Sequence, residues 1–177
     1  MTSGEPSLRP PGCCRDQLAA YERKKGGYAC VVSRILVAYD GSSSSRRALE
    51  RAISEARDSH AGITVLSVAE MPLNPDEPRF FGTLDDISPD EGAPLTPPPG
   101  VVGHLTEARD VLVSAGLDPD LAWSAGEPAT EIVETAKRIG ARTIVLGEHH
   151  HGFLSGLFGG DVDEAVRREA GCAVILA

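Results

Sequence analysis

The chain has 177 residues, 41% of them hydrophobic and 24% charged, which is an ordinary composition for one globular domain with its own core. Its net charge of −9, from 17 basic and 26 acidic residues, argues against general binding to nucleic acids or anionic membranes. No apolar run approaches the roughly 20 residues that a membrane helix needs, and no apolar stretch follows the N-terminal charges, so we expect a cytoplasmic protein.

The first 33 residues contain three prolines and four glycines and show no convincing hydrophobic period. This composition predicts a poorly ordered N-terminal extension, with room for a short helix at residues 16 to 25. The pattern of a folded domain begins abruptly at Val31, so we place the domain at residues 34 to 177 and leave open whether the extension belongs to the native protein. The cysteines fit no common zinc spacing, which favours free thiols: Cys13, Cys14, Cys30 and Cys172.

A compact apolar run at residues 34 to 39, RILVAY, predicts a strand covered on both faces. The tripeptide Asp40-Gly41-Ser42 then turns the chain into a helix that we expect from about Ser43 to His60. The serines at its start are typical helix caps, and the arginines on its surface indicate a solvated face. Its buried stripe has helical spacing: Ala48, Leu49, Ala52, Ile53 and Ala56.

Gly62 is expected to end this helix, and residues 63 to 68, ITVLSV, predict a second strand. Residues 70 to 100 then carry seven acidic residues, one basic residue and eight prolines. A stretch of this composition predicts no regular element and is too long for a simple connection. We therefore interpret it as an insertion in the domain, either disordered or forming a lid.

The second half of the domain alternates helices and strands. Apolar spacing predicts helices at about residues 101 to 115, 128 to 140 and 162 to 170, and strands at 121 to 125, 143 to 146 and 173 to 176. Pro128 suits the first turn of the middle helix, and Gly140 suits its end. The first of these helices should direct four residues to the core: Leu105, Ala108, Val111 and Leu112.

This alternation predicts a doubly wound α/β fold, because continuously apolar strands are typical of a parallel sheet that helices cover on both faces. The connections between the strands should be right-handed. In such sheets a ligand binds beyond the carboxyl ends of the strands, at the point where the strand order reverses. We therefore expect the functional site at that edge of the sheet.

The stretch from Thr143 to Asp161, TIVLGEHHHGFLSGLFGGD, joins a strand, a glycine-rich loop and a helix start. These are the parts of a phosphate cradle, in which backbone N–H groups and the helix dipole attract an anion. His149 and His151 would project to one side of an extended loop, where Glu148 or Asp161 could complete a zinc or nickel site. The simpler interpretation is a polar, solvent-exposed loop, since adjacent histidines match no structural metal spacing.

No residues in the sequence suggest an activated nucleophile. The serines at 42 to 45 and Ser155 lack a convincing base partner, and serines at a helix start usually cap it. We therefore predict no catalytic residue and a protein that is not an enzyme. The nucleotide-like loop leaves weak ATPase activity open.

Three segments resemble universal stress protein domains: RILVAYDGSSSSRRALERA, GEPATEIVETAKRIGA followed by TIVLG, and GLFGGDVDEAVRREAGCAVIL. The resemblance covers residues 34 to 177 apart from the insertion at 70 to 100. It implies a Rossmann-like, adenine-nucleotide-hydrolase-like sheet of five parallel strands in the order 3-2-1-4-5, with Asp40 beside the loop at Gly147. It also implies a homodimer built with the last strand, and we expect a regulatory role in the stress response.

The ATP-binding branch of that family has a glycine, two residues, a second glycine, nine residues, and a third glycine followed by serine or threonine. Gly147 matches the first position and Gly160 the third. His150 and Asp161 stand at the second and the last positions, where they depart from the motif. By the same resemblance, three residues flank the adenine and the ribose: Ala38, Asp40 and Val68.

The two departures predict that ATP binding is weakened or lost. The ring of His150 stands where backbone would approach phosphate. An ionised Asp161 can only accept hydrogen bonds, and at about 4 Å from a phosphate charge it costs on the order of 4 kcal/mol at an effective dielectric of about 20, or roughly a thousandfold in affinity. A Mg²⁺ ion shared with the phosphate would reverse the sign, so Mg-assisted ATP binding is the alternative. Asp161 can also be interpreted as the N-cap of the helix that follows, with Glu164 three residues later as in a capping box. That structural role is compatible with lost ATP binding.

Overall fold

A computed structural model describes residues 33–70, 80–83, 97–148 and 162–177. The N-terminal extension, much of the insertion and the loop with the three histidines lie outside these residues. The elements in chain order are β1 (Arg34–Ala38), α1 (Ser43–Ser59), β2 (Gly62–Glu70), β3 (Phe80–Thr83), α2 (Pro99–Ser114), β4 (Asp120–Gly126), α3 (Pro128–Ile139), β5 (Thr143–Leu146), α4 (Val162–Glu169) and β6 (Ala173–Leu176).

The described strands form one sheet in the order β3-β4-β2-β1-β5-β6. The five strands β4, β2, β1, β5 and β6 are parallel to one another. This confirms the predicted five-stranded parallel sheet, because the order 3-2-1-4-5 is the same arrangement when β3 is left out of the numbering. The doubly wound α/β class is therefore confirmed as well.

β3 is a sixth strand that the sequence pattern did not predict. It pairs antiparallel with β4, from Phe80 opposite Ala125 to Thr83 opposite Ala122. The expectation of no regular element in residues 70 to 100 is therefore wrong at this point. Phenylalanine and threonine favour strands, and the prolines and acids flank these four residues without interrupting them. The expectation is wrong again at Pro99, which begins α2 in the position where a helix tolerates proline best.

Two apolar clusters, one on each face of the sheet, form the core. The cluster on the α1 and α2 side includes Val37, Val65 and Trp123, and the cluster on the α3 and α4 side includes Leu36 and Leu66. Adjacent residues of one strand thus belong to opposite clusters, as the pleat of a strand requires. Both faces of the sheet are buried, which explains why the strands are continuously apolar.

Two details of the helices differ from the prediction. Val111 of α2 is 40% exposed, whereas Val101 is 5% exposed and takes its place in the core, because the buried stripe runs through 101, 105, 108 and 112. α1 ends at Ser59, close to the predicted His60, but the residue that caps its end is His60 and not Gly62. His60 has the left-handed conformation, and its N–H donates to the carbonyl of Ala56. None of the helices in the described part of the chain is long and apolar enough to span a membrane.

Candidate functional site

The strand order reverses at β1, which lies between β2 and β5. The chain leaves β1 into α1, which packs on one face of the sheet, whereas α4, the helix before β6, packs on the other face. A crevice at the carboxyl ends of β1 and β5 is therefore the expected ligand position in this fold. The candidate site is built from the residues that follow these strands and their neighbour β2.

Four of the predicted site residues lie at this edge. Ala38 is the last residue of β1, Asp40 follows two residues later, Val68 lies near the end of β2, and Gly147 directly follows β5. Ala38 and Val68 pack against the same apolar cluster, on the side of α3 and α4. The fold thus places these four residues at the ends of three neighbouring strands. The other predicted site residues lie outside the described residues: His150, Gly160 and Asp161.

Asp40 belongs to a tight turn that starts α1. Its Oδ1 accepts a hydrogen bond from the N–H of Ser42 at 3.0 Å. Gly41 between them has φ +76°, a conformation that residues with a Cβ adopt only under strain. Asp40 is an exposed residue at the candidate site.

The serines after this turn cap α1, as their position predicts. The Oγ of Ser42 accepts from the N–H of Ser45 at 3.1 Å and lies 3.0 Å from the Oγ of Ser44. The hydroxyl of Ser45 donates to the carbonyl of Ser42 at 3.1 Å. These hydroxyls satisfy one another and the first turn of the helix, which is a structural task.

Gly147 lies against the backbone of α1. A Cβ built on Gly147 would lie 2.4 Å from the carbonyl carbon of Ser44 and 2.6 Å from the N of Ser45. Backbone atoms inside a helix cannot move aside for a side chain, so β5 and α1 can approach this closely only with glycine at 147. The resemblance to the ATP motif gave the position of this glycine, and the packing of the fold gives an independent reason for it.

The C-terminal residue, Ala177, forms hydrogen bonds with the residues on either side of Gly147. The N–H of Glu148 donates to the carbonyl of Ala177 at 2.8 Å, and the N–H of Ala177 donates to the carbonyl of Leu146 at 3.0 Å. These bonds continue the ladder of β5 and β6 beyond the strand ends. Glu148, the last residue of its described range, is thereby held next to the C-terminal residue.

Two polar residues of α2, His104 and Glu107, lie near the Asp40 turn. The sequence pattern did not single them out. Glu107 pairs with Arg46 of α1 through two contacts, Nε to Oε1 at 2.6 Å and a second guanidinium nitrogen to Oε2 at 3.2 Å. This pairing holds the pKa of Glu107 below its ordinary value. Arg46 was expected on a solvated face; it is exposed, and it also joins two helices.

Tyr39 lies beside this ion pair and is 2% exposed. Burial, followed by the neighbouring Glu107 carboxylate, raises the pKa of Tyr39 to about 12.

His104, one turn before Glu107 on α2, has its Nδ1 3.5 Å from the Oγ of Ser67 on β2. A sequence signal for His104 exists, because it is polar and follows Val101 by three residues on the buried side of α2.

The metal hypothesis involves residues that the structure does not describe. Within the described ranges, no group of three or more histidine, cysteine, aspartate or glutamate side chains is placed to hold a metal ion. His149 and His151 lie outside those ranges, so a zinc or nickel site there stays a hypothesis. Cys172 is a free thiol whose pKa is raised by burial.

Known proteins resemble the chain over most of its length. The model of the universal stress protein family matches residues 32–177. The stress response protein NhaX of Bacillus subtilis is 32% identical over 162 residues, which cover 81% of this chain and 96% of that protein. The universal stress protein YxiE of Bacillus subtilis is 26% identical over 155 residues, which cover 81% and 97%.

Solved structures share the fold. A universal stress protein in complex with cAMP is 27% identical, with a TM-score of 0.60 over 82% of this chain and 96% of the other. A universal stress protein from Archaeoglobus fulgidus in complex with dAMP is 23% identical, with a TM-score of 0.54 over 82% of this chain and 98% of the other.

Proposed function

Because the chain belongs to the universal stress protein family, we propose that it is a cytoplasmic, non-catalytic regulator of the stress response. Its site accepts the adenosine part of an adenine nucleotide and holds a triphosphate weakly or not at all. The observation that carries this proposal is that the fold brings Ala38, Asp40, Val68 and Gly147 to the carboxyl ends of three neighbouring strands.

The adenosine half of the site has suitable chemistry. Asp40 is an exposed residue, and a carboxylate accepts the kind of hydrogen bond that ribose hydroxyls donate. Ala38 and Val68 are half-buried and apolar on one face of the sheet, which suits the flat surface of a base. The similar universal stress protein that binds cAMP supports an adenine nucleotide as the ligand class.

The phosphate half departs from the ATP motif. His150 and Asp161 replace a glycine and a hydroxyl residue, and Asp161 repels phosphate unless a cation lies between them. Gly147 is the first glycine of the motif, but α1 already requires a glycine there. Its presence is therefore weak evidence for a triphosphate, and weakened ATP binding is the interpretation that fits these residues.

A regulatory role fits the serines near the site better than catalysis does. The hydroxyls of Ser42, Ser44 and Ser45 bond to one another or to the backbone of α1. A nucleophile needs a base that takes its proton, and these hydroxyls have no such partner among the contacts described above. The proposed role is therefore regulatory and not catalytic, with weak ATPase activity left open.

We also propose a homodimer that uses β6. This strand pairs with β5 on one side and ends the sheet among the described strands. Val174, Ile175 and Leu176 are only half-buried. A strand with unpaired edge groups and apolar side chains is a template for pairing with a second copy, which would cover both. The molar mass in solution, measured by light scattering, tests this part of the proposal.

A thermal-shift panel tests the ligand class. AMP and cAMP should raise the midpoint of unfolding, whereas ATP should leave it unchanged with and without Mg²⁺, because only a ligand that binds the folded state stabilises it. A rise with ATP that requires Mg²⁺ would instead support Mg-assisted ATP binding. A rise with zinc alone, lost in His149→Ala and His151→Ala, would support a metal site. No rise with any adenine nucleotide would contradict the proposal.

A further inference from the structure

Helix α2 directs one side chain against the turn that carries Asp40. A Cβ built on Gly41 would lie 2.8 Å from Cδ2 and 3.1 Å from Nε2 of His104. The imidazole therefore occupies the space beside Gly41 in which the side chain of any other residue would begin. The turn is held in its left-handed conformation at Gly41 with this ring packed directly against it.

One further contact involves the imidazole itself, and a second holds the helix that carries it. Its Nδ1 lies 3.5 Å from the hydroxyl of Ser67, a residue of β2 that is 1% exposed. One turn further along α2, Glu107 forms its two-contact ion pair with Arg46 in the first turn of α1. The ring thus contacts a buried strand, and its helix is tied to the helix that the turn begins.

Asp40 holds the same turn through a hydrogen bond. Its Oδ1 accepts from the N–H of Ser42, and the hydroxyl of Ser42 then caps α1. A displacement of Gly41 would change the distance between Asp40 and Ser42, because Gly41 is the one residue between them. The position of the Asp40 carboxylate therefore depends on what holds Gly41.

We propose that His104 is a positioning residue, which fixes the turn from Asp40 to Ser42 and thereby the carboxylate that a bound ribose would contact. The consequence for the ligand rests on the proposed function, whereas the effect on the turn does not. His104 needs no contact with the ligand. A looser turn must be ordered again when a ligand binds, and that cost lowers the affinity.

Amide hydrogen exchange, measured by NMR on the full chain without nucleotide, tests the effect on the turn. The Ser42 amide reports on it directly, since that N–H donates to Asp40. In His104→Ala it should exchange about five to ten times faster, while amides of the buried strands keep their rates. His104→Phe keeps a ring beside Gly41 and should restore most of the protection.

Val113→Ala is the matched control, because Val113 lies on the exposed face of the same helix. It should leave the exchange of the Ser42 amide unchanged. An unchanged Ser42 rate in His104→Ala would overturn the proposal. A uniform rise in every strand amide would overturn it as well, because it would mean that His104 only stabilises the whole domain.

The dissociation constant for AMP, measured by NMR titration, tests the consequence for the site. His104→Ala should weaken AMP binding about fivefold. This loss should disappear in the Asp40→Ala background, because the histidine acts through that carboxylate. A loss that persists undiminished without Asp40 would refute the positioning role. If the wild-type chain binds no AMP while Ser42 exchange responds to His104→Ala, the proposed function fails and the control of the turn by His104 stands.

Discussion

A glycine follows each of the neighbouring strands β1 and β5, and the fold needs the two glycines for different reasons. Gly41 has a positive φ, and its missing Cβ makes room for the ring of His104. Gly147 has no positive φ, but its missing Cβ makes room for the backbone of α1. A side-chain ring can rotate away, whereas a helix backbone cannot. The two glycines look alike in the sequence and should differ strongly in what they tolerate.

Gly147→Ala should have the largest effect on stability. A Cβ at 2.4 Å from a backbone carbon forces β5 and α1 apart, so we expect the free energy of unfolding to fall by about 3 kcal/mol or more. Urea denaturation followed by circular dichroism measures this.

Gly103→Ala is the matched control for that variant. Gly103 lies inside α2 with no atom within 4 Å of the added carbon, so alanine should stabilise the helix by about 0.5–1 kcal/mol. Equal free energies of unfolding for Gly147→Ala and the wild type would contradict the close approach of β5 to α1.

Gly41→Ala should cost less, about 1–2 kcal/mol, because left-handed backbone strain adds to a clash that His104 can partly relieve. Combining it with His104→Ala sharpens the comparison. With alanine at 104, the destabilisation by Gly41→Ala should fall to the backbone strain alone, about 1 kcal/mol. A double-mutant cycle of urea denaturation measures this. Full additivity of the two substitutions would show that the ring and Gly41 are not in contact.

Tyr39, the residue before the Asp40 turn, should make stability sensitive to alkaline pH. Its pKa is raised to about 12 in the folded chain, from an ordinary value of 10 in the unfolded chain. The unfolded state therefore loses this proton first, and stability should fall as the pH rises from 10 toward 12. Tyr39→Phe should show a shallower loss of the thermal midpoint across that window. Parallel pH profiles for the two proteins would contradict the raised pKa.

Deletion of residues 1 to 32 should have the smallest effect. The hydrogen bonds of the described sheet begin at Ser33, whose carbonyl accepts from the N–H of Gly62. Gly41 and Gly147 both lie inside the remaining domain, and the free energy of unfolding should change by no more than about 0.5 kcal/mol. A loss of cooperative unfolding in this truncated chain would show that the proposed domain boundary is misplaced.

Much of the fold could be predicted because its signals are local or periodic. Arg34–Ala38 and Ala173–Leu176 are continuous apolar runs, and the stripes of α1 and α3 repeat at helical spacing. β3 could not be predicted in this way, since a four-residue edge strand carries no period and is defined by its pairing with β4. The start of α2 at Pro99 was not predicted, because proline breaks a helix everywhere except near its first turn.

The candidate site could be predicted only in part. The strand order that the family resemblance implies predicted Asp40 beside Gly147, and the structure brings those two residues to neighbouring strand ends. The reason for glycine at 147 is a contact with Ser44, about a hundred residues earlier, which spacing within a motif cannot reveal. Helical spacing places His104 beside the buried stripe of α2, but it cannot reveal the role of this residue. Its contacts are with Gly41 and Ser67, which belong to other parts of the chain.

The most direct test of the central claim compares ATP with AMP by isothermal titration calorimetry at one fixed salt concentration, without Mg²⁺. We expect AMP to bind more tightly than ATP, and the double variant His150→Gly with Asp161→Ser to improve ATP binding by about a hundredfold or more while AMP affinity changes little. ATP binding to the wild-type chain more tightly than AMP, or an unchanged ATP affinity in a double variant that still binds AMP, would contradict the account.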